Sequence, residues 1–201
     1  MTTPTPLPAV SALSGTTVVV VGGSSGIGKE VARQALAAGA AVTIASRSRD
    51  RLDAAAKDLG DVATATVDIT DDASVRDLFA GVGAFDHLVV APGDIAVGSP
   101  YDVALDDVRR CLDTKILGHL LCVRHAGPRL ARDGSIVLLA GGAGFKAYPQ
   151  MSVTGAANAG IGALGRTFAL ELAPIRVNVV IAGLIDTPLW DAFPADAREA
   201  M

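Results

Sequence analysis

Cysteines, aromatic residues and an excess of basic charge are all scarce in this chain of 201 residues. Its two cysteines, Cys111 and Cys122, are predicted to share one helix, where about 16 Å of rise separates them. That distance exceeds disulfide reach, and reduced thiols favour a cytoplasmic location. The formal net charge of −4 provides no basic surface for nucleic acid. No apolar run is both long enough and free enough of charge to cross a membrane.

The first residues, 1–14, are predicted to form a flexible arm. Pro4, Pro6 and Pro8 interrupt this segment, and no basic region precedes it, so it does not resemble a signal peptide. Residues 15–201 are predicted to form a single domain, because half of the chain is hydrophobic and its length is enough to bury a core.

A glycine-rich turn between an apolar strand and a helix is the dominant motif of the sequence. Four valines, residues 18–21, precede Gly22, Gly26 and Gly28, and an alanine-rich run follows. Such a turn allows the backbone to approach a pyrophosphate, which then binds the free N–H groups at the start of the helix. We therefore predict a dinucleotide site here; the alternative is a tight turn without a ligand.

Apolar strands alternate with helical segments along the rest of the chain. Further strands are predicted at residues 41–46, 62–67, 87–91, 135–140 and 176–181, and helices at residues 50–59, 102–130 and 152–172. The segment 102–130 is expected to be two helices or one bent helix, and Asp71 or Asp72 to cap the helix after the third strand. This alternation predicts an α/β fold with a doubly wound parallel sheet of about six strands, a Rossmann-like αβα arrangement.

The sixth predicted strand is expected to be an exposed apolar edge of that sheet. Proteins normally cover or blunt such an edge. We therefore expect either that a partner covers it or that the chain lacks a final segment.

Several of these landmarks resemble the short-chain dehydrogenase/reductase family over about residues 15–189. The family motif T-G-x-x-x-G-I-G is similar to residues 21–28, VGGSSGIG, with Val21 in place of the threonine. Asp68 resembles the family aspartate that contacts the adenine. Gly183 and Thr187 resemble the P-G-x-x-x-T motif that contacts the nicotinamide carboxamide, and the N-N-A-G motif is reduced to residues 90–93, VAPG.

The resemblance implies a set of cofactor-binding residues along the carboxyl edge of the sheet. They are Gly22, Ser24, Ser25, Gly26, Ile27, Gly28, Ser46, Arg47, Asp68, Ile69, Ala91, Pro92, Gly93, Gly183, Ile185 and Thr187.

The end of the second strand predicts which cofactor is preferred. An acidic residue there would bind the ribose 2′-hydroxyl of NAD, but this chain has Ser46 followed by Arg47 and Arg49. A guanidinium can bind a 2′-phosphate through two hydrogen bonds, so we expect NADP(H) to be favoured over NAD(H). The alternative is that both arginines are solvated loop residues.

The family's catalytic positions carry different residues in this chain. The family uses a tyrosine as proton donor, a lysine four residues later, a serine before them and an asparagine on an earlier helix. An alignment without gaps places Gly141 at the serine, Thr154 at the tyrosine, Asn158 at the lysine and Lys115 at the asparagine. An aliphatic hydroxyl is a much weaker acid than a phenol, so the resemblance implies an atypical catalytic set with Thr154 and Asn158 as weak candidates.

Two other residues are candidates for the missing proton donor. Lys115, if partly desolvated, could donate a proton or stabilise an oxyanion; alternatively it pairs with Asp113, Asp94 or another carboxylate. Tyr148 could turn toward the site or pack at its rim. Asp94 either lines the pocket, caps a helix or stays solvated.

His119 and Cys122 lie on one predicted helix face, where they could begin a metal site, but no further ligand is apparent and packing is favoured. His87 and His125 have no acid–base partner that the sequence indicates.

Four glycines interrupt the helix predicted at residues 152–172: Gly155, Gly160, Gly162 and Gly165. Glycine destabilises a helix, which indicates that another backbone approaches closely. The approaching element is either the same helix of a second copy, as the resemblance implies, or this chain's own sheet.

Together these features predict an oxidoreductase that transfers hydride between NADP(H) and a small carbonyl or alcohol substrate, with non-standard catalytic residues. The resemblance implies a homodimer or homotetramer, with no metal. The alternatives are an NAD(P)-binding sensor without turnover and a partner in an assembly.

Overall fold

Six parallel strands form one sheet in a computed structural model that describes residues 12–190. The strands are β1 (Thr17–Val21), β2 (Ala41–Ser46), β3 (Ala63–Thr66), β4 (Phe85–Val90), β5 (Leu130–Gly141) and β6 (Arg176–Ala182). Their order across the sheet is β3-β2-β1-β4-β5-β6. The predicted doubly wound, Rossmann-like sheet is confirmed. Most of the predicted arm, residues 1–11, and residues 191–201 lie outside the described part of the chain.

Helices cover both faces of the sheet. They are α1 (Gly26–Ala37), α2 (Arg49–Leu59), α3 (Asp72–Val82), α4 (Leu105–Leu112), α5 (Gly118–Ala126) and α6 (Ser152–Glu171). Alternate valines of β1 point to opposite faces, as the geometry of a strand requires. Val18 and Val20 belong to a core cluster with α1 and α2, and Val19 and Val21 to one with α3, α5 and α6. No helix among residues 12–190 has the length and apolar character needed to span a membrane.

A π-helical segment, Asp113–Leu117, joins α4 to α5 without a break. Two helices were among the structures predicted for residues 102–130, and this segment is what separates them. Single π turns inside longer helices are frequent at functional sites, because the extra residue redirects the side chains that follow. Lys115 lies in this turn, and the two free, buried cysteines lie on either side of it.

Several predicted boundaries are wrong by a few residues. The helical stretch predicted at residues 102–130 begins at Leu105 and ends at Ala126, and β5 begins at Leu130 rather than at Ser135. The cause is tertiary, since Leu130 pairs with Phe85 at the start of β4, and an irregularity follows before the ladder resumes. The third strand is shorter than predicted, and the fourth runs from residue 85 to 90 instead of 87 to 91. Asp71, one of the two predicted caps, accepts hydrogen bonds from two N–H groups of the first turn of α3.

The glycines of α6 allow other parts of this chain to approach the helix closely. A Cβ added to Gly155 would lie 2.7 Å from the Ala143 carbonyl oxygen, and one added to Gly165 would overlap with Val179 of β6. Packing within the chain therefore accounts for Gly155 and Gly165.

β6 forms an edge of the sheet, as predicted, since among the described residues it pairs with β5 alone. Val180 and Ile181 are each 48% exposed on it.

Candidate functional site

A cleft lies at the carboxyl ends of the strands, beside the point where the strand order reverses between β1 and β4. Open α/β sheets bind ligands at this position, because the loops on either side diverge. The cleft encloses about 120 Å³, and the loops after β4, β5 and β6 line it together with the first turn of α1, α6 and the π turn. Most of its wall is apolar, and the polar side chains in it are Lys115, Tyr148, Thr154, Asn158 and Thr187.

The glycine-rich turn after β1 has the backbone that a phosphate cradle requires. Gly22 and Gly26 adopt positive φ angles of 84° and 52°, and a Cβ on Gly28 would overlap with the Gly22 carbonyl oxygen. Ser25 precedes α1 but makes no capping hydrogen bond through its side chain, and no acidic residue lies in the first turn. The first N–H groups of α1 thus remain suited to an anion.

The loop after β6 lies over this turn. A Cβ on Gly26 would be 3.3 Å from Cβ of Thr187, and one on Gly93 would be 3.3 Å from the Leu189 side chain. The fold therefore brings together in one cleft six of the predicted cofactor residues, namely Ile27, Pro92, Gly93, Gly183, Ile185 and Thr187. Ala91 is buried against Gly22 beside them.

The predicted adenosine residues lie away from the cleft, at the ends of β2 and β3. Ser46 closes β2, and its buried Oγ has no hydrogen-bond partner among the described residues. Asp68 accepts two hydrogen bonds from Thr70, at 2.9 and 2.8 Å. Burial acts to raise the pKa of Asp68, but these hydrogen bonds and the charge of Arg47 outweigh it, so that the pKa lies below its usual value. Ile69 packs in the core against Gly118 rather than in the cleft.

The two arginines after β2 have different surroundings. Arg49 forms an exposed ion pair with Asp53 at 3.0 Å, one turn along α2. Arg47 is exposed and belongs to no ion pair within the described chain, and its charge acts on Asp68. The arginine that adjoins Ser46 is therefore the one available to a ligand.

Lys115 is 7% exposed and donates a hydrogen bond of 3.1 Å from Nζ to Oδ1 of Asn158. The predicted alternative, an ion pair with Asp113, Asp94 or another carboxylate, is wrong, because Lys115 forms no ion pair within the described chain and Asp94 is bound by Arg110. The Arg110 Nε lies 3.1 and 3.3 Å from the two oxygens of Asp94. Asp94 is accordingly buried, and the prediction of a solvated Asp94 is also wrong.

Burial lowers the pKa of Lys115, and the charges of Cys111 and Asp94 oppose this only in part. The Cys111 thiol one turn earlier has a raised pKa, again because of burial. An amine in this setting can pass between its charged and neutral forms more readily than one in water.

Thr154 and Tyr148 both line the cleft, in different states. Thr154 is buried, and its hydroxyl donates to the Ala96 carbonyl oxygen at 2.9 Å and accepts from the Ala96 N–H at 3.0 Å. The hydroxyl thus ties α6 to the loop after β4. Tyr148 is half-buried, and Lys146 Nζ lies 5.3 Å from the centre of its ring. Tyr148 therefore forms part of the cleft wall, and its ring contacts the Lys146 cation.

His87 and His125 have hydrogen-bond partners that the sequence did not indicate. His125 Nε2 lies 2.8 Å from an oxygen of Asp72, and His87 Nδ1 lies 3.0 Å from Ser135 Oγ. His119 is fully buried, and neither of its ring nitrogens has a hydrogen-bond partner in the described structure. Within residues 12–190 no three His, Cys, Asp or Glu side chains are grouped so as to hold a metal ion.

Sequence reasoning missed most of the apolar wall of the cleft. The missed residues are Ile95, Leu139, Ala140, Gly142, Ala143, Met151, Ala182, Leu184 and Leu189. Their only signal was position, since most of them follow the ends of β4, β5 and β6, where a parallel sheet collects its ligand loops.

Comparison with known proteins is consistent with this geometry. The pattern of the short chain dehydrogenase family matches residues 16–198. A cis-4-hydroxycyclohexanecarboxylate dehydrogenase of Sinomonas cyclohexanicum is 35% identical over 195 residues, covering 91% of this chain and 78% of the relative. A 2-dehydro-3-deoxy-L-rhamnonate dehydrogenase (NAD(+)) of a Sphingomonas strain is 28% identical over 197 residues, with coverages of 94% and 79%.

Among solved structures, an NADPH-bound short chain oxidoreductase of Pseudomonas aeruginosa PAO1, described as containing an atypical catalytic center, has a TM-score of 0.84. It is 31% identical, covering 89% of this chain and 75% of that one. The extent of the family match, together with the fold and the glycine-rich turn, leads to one conclusion: this chain is a member of the short-chain dehydrogenase/reductase family.

Proposed function

We propose that this chain is an oxidoreductase that binds NADP(H) and transfers hydride to or from a small carbonyl or alcohol compound. The observation that carries the proposal is the cleft at the carboxyl edge of the sheet, which the buried amine of Lys115 lines together with Ile27, the residue that directly follows the glycine-rich turn. The NADPH-bound relative with the same fold supports it.

The residues present fit a nicotinamide dinucleotide. The turn that contains Gly22, Gly26 and Gly28 has no side chains at these three positions, which would let a pyrophosphate approach its backbone N–H groups, with Ser24, Ser25 and Ile27 between the glycines. Asp68 would face the adenine, and the residues after β4 and β6 would hold the nicotinamide end. When bound, the nicotinamide supplies or accepts the hydride.

The preference for NADP(H) rests on Ser46 and Arg47. Ser46 Oγ is a buried donor without a partner, and a buried polar group of that kind is costly unless a ligand satisfies it. The adjacent guanidinium would bind a 2′-phosphate, and no carboxylate closes β2 to repel one. One relative is named for NAD(+) instead, and titration with both cofactors tests the preference of this chain.

We further infer that Lys115 contacts the substrate oxygen. Its hydrogen bond to Asn158 uses one N–H of the ammonium, which leaves others to donate to a carbonyl oxygen in the cleft. A desolvated cation stabilises developing negative charge strongly, and its lowered pKa favours release of a proton to the alkoxide. Asn158 orients this amine, while Thr154, whose hydroxyl is engaged by Ala96, holds the loop after β4. Tyr148 is the alternative donor.

A second candidate function is binding of the cofactor without turnover, as in a sensor or an assembly partner. The engaged hydroxyl of Thr154 favours this candidate, because that side chain has no proton to offer a substrate without breaking its contact with Ala96.

Titration of the protein with NADPH and with NADH, followed by a screen of carbonyl compounds on the same sample, tests the proposal. Arg47→Ala should weaken binding of NADPH far more than binding of NADH. Arg49→Ala is the matched control and should change neither, because Arg49 is paired with Asp53. Equal losses of affinity for NADPH and NADH in Arg47→Ala would refute the proposal that Arg47 binds the 2′-phosphate.

Turnover then separates the two candidates. Lys115→Met should lower kcat by about 10²–10⁴-fold, the range typical of a lost acid catalyst, and Thr154→Val by much less. NADPH binding without oxidation of the cofactor across the whole screen would favour the non-catalytic candidate. Turnover that survives in Lys115→Met but not in Thr154→Val would refute the role of Lys115.

A further inference from the structure

Lys115 has surroundings that hydride transfer alone does not require. Its amine faces a cleft whose wall is mainly apolar, with Leu139 and Met151 among the lining residues, and it forms no ion pair within the described structure. Its hydrogen-bond partner in the described part of the chain is the neutral Oδ1 of Asn158, 3.1 Å away. Because Oδ1 accepts a hydrogen bond, it engages an N–H of the amine and leaves the lone pair of a neutral nitrogen free.

The charged and titratable groups near Lys115 leave its charge weakly compensated. Cys111 and His119 lie one turn away on either side along its own helix, and Asp94 approaches from the loop after β4. The Asp94 carboxylate is bound by Arg110, which reduces its effect on Lys115. Burial therefore dominates and lowers the pKa of Lys115, which increases the share of neutral amine near neutral pH. A neutral lysine in an apolar pocket is a nucleophile toward carbonyl groups.

We propose that the Lys115 amine binds small apolar aldehydes covalently and reversibly, as an imine. The nitrogen lone pair forms a bond to the carbonyl carbon while the carbonyl π electrons move to oxygen, and a proton passes from nitrogen to that oxygen to give a carbinolamine. The hydroxyl then takes the second proton of the nitrogen and leaves as water as the carbon–oxygen bond breaks, and the nitrogen lone pair forms the double bond to carbon. Nothing is oxidised or reduced, and one water is released for each aldehyde bound.

The shape of the cleft limits which aldehydes can react. It encloses about 120 Å³ with a mostly apolar wall, which favours an unbranched or aromatic aldehyde without charge. This activity goes beyond the proposed hydride transfer and needs no nicotinamide cofactor, so it can be tested without one.

Trapping with benzaldehyde and sodium cyanoborohydride, in the absence of any nicotinamide, tests the proposal. The reductant delivers hydride to the imine carbon and leaves a benzyl group on the lysine, which intact-mass measurement and peptide mapping detect. At neutral pH we expect Lys115 to be labelled at least about tenfold faster than the exposed Lys57, because burial increases the share of neutral amine at Lys115. Lys115→Met should lose this adduct. Labelling of Lys115 no faster than labelling of Lys57 would overturn the proposal.

Asn158→Asp provides a matched variant that keeps the lysine and the size of its partner. A carboxylate in that place would hold the amine as ammonium, so labelling of Lys115 should fall by about tenfold or more. Unchanged labelling in this variant would count against the mechanism. The NADPH titration is a separate measurement. Labelling of Lys115 without NADPH binding would support the imine and refute the oxidoreductase proposal. NADPH binding without labelling of Lys115 would refute the imine and support the oxidoreductase proposal.

Discussion

At the scale of single residues, the helical stretch formed by α4, the π turn and α5 buries two basic side chains, and their surroundings differ. Lys115 lines the cleft and donates a hydrogen bond to Asn158, whereas His119, one turn later, is buried in the core, and neither of its ring nitrogens has a partner among residues 12–190. Burial lowers the pKa of His119 to about 4, and the charge of Lys115 adds to the effect. His119 is therefore neutral in the folded protein near neutral pH.

This burial predicts a specific loss of stability in acid. Between pH 6.5 and pH 4 the unfolded chain binds a proton at His119 that the folded chain does not, so the free energy of unfolding falls as the pH falls. At pH 4 the lowered pKa of His119 reduces the free energy of unfolding by about 3 kcal/mol. Above pH 6.5 this loss is absent, because His119 is then neutral in both the folded and the unfolded chain. Urea unfolding of the wild type and His119→Leu at pH 7 and pH 4 measures it. The variant should lose about 3 kcal/mol less than the wild type over this interval; equal losses would contradict the prediction.

At the scale of elements, α6 shows how a glycine-rich helix serves the fold. Its glycines face the turn after β5, the π turn, Phe145 and β6, so that the helix lies close to the edge of the cleft. Helix propensity alone would favour alanine at all of these positions. The low helix propensity of glycine is offset by close packing only where a side chain would collide with a rigid neighbour.

Two substitutions in α6 separate these cases. Gly155→Ala places a Cβ 2.7 Å from the Ala143 carbonyl oxygen, a backbone atom that cannot move cheaply, so we expect a loss of about 1–3 kcal/mol in stability. Gly162→Ala is the control, because its nearest neighbour, an atom of Phe145, lies at an ordinary contact distance of 3.4 Å. It should stabilise the protein by up to about 1 kcal/mol through helix propensity. Thermal unfolding of the two variants measures both effects, and a destabilised Gly162→Ala would contradict this account.

The elements also show what the sequence could predict and what it could not. β2 was predicted to the residue, because a short apolar run between turn signals has few other structures open to it. The start of β5 was missed, because residues 131–134, ARDG, resemble a loop until Leu130 pairs with Phe85. The contact between Lys115 and Asn158 was also missed, since the two residues lie 43 positions apart and only the fold brings them together. Burial of Asp94 likewise depends on Arg110, a partner that no local pattern indicates.

At the scale of the whole molecule, an apolar stripe runs along the outside of α4, the π turn and α5. Leu105, Leu112, Leu117 and Leu120 are between 38% and 67% exposed on it. The five-residue step from Leu112 to Leu117 spans the π turn, whose longer repeat keeps the two leucines on one face. Contiguous exposed apolar patches of this kind mark interaction surfaces in soluble proteins.

We therefore expect the protein to form a homodimer or homotetramer through this stripe, and size-exclusion chromatography with light scattering would measure its mass. Leu112→Glu combined with Leu120→Glu should give the mass of a monomer, because burying two unpaired carboxylates costs far more than the leucine contacts contribute. Tyr101→Glu is the matched control: Tyr101 is 99% exposed but lies on the loop before α4, so its replacement should leave the mass unchanged. Both variants should retain the circular dichroism of the wild type, since none of the three side chains is buried. A wild-type protein that is monomeric at high concentration, or a double variant with unchanged mass, would show that the stripe does not join copies of this chain.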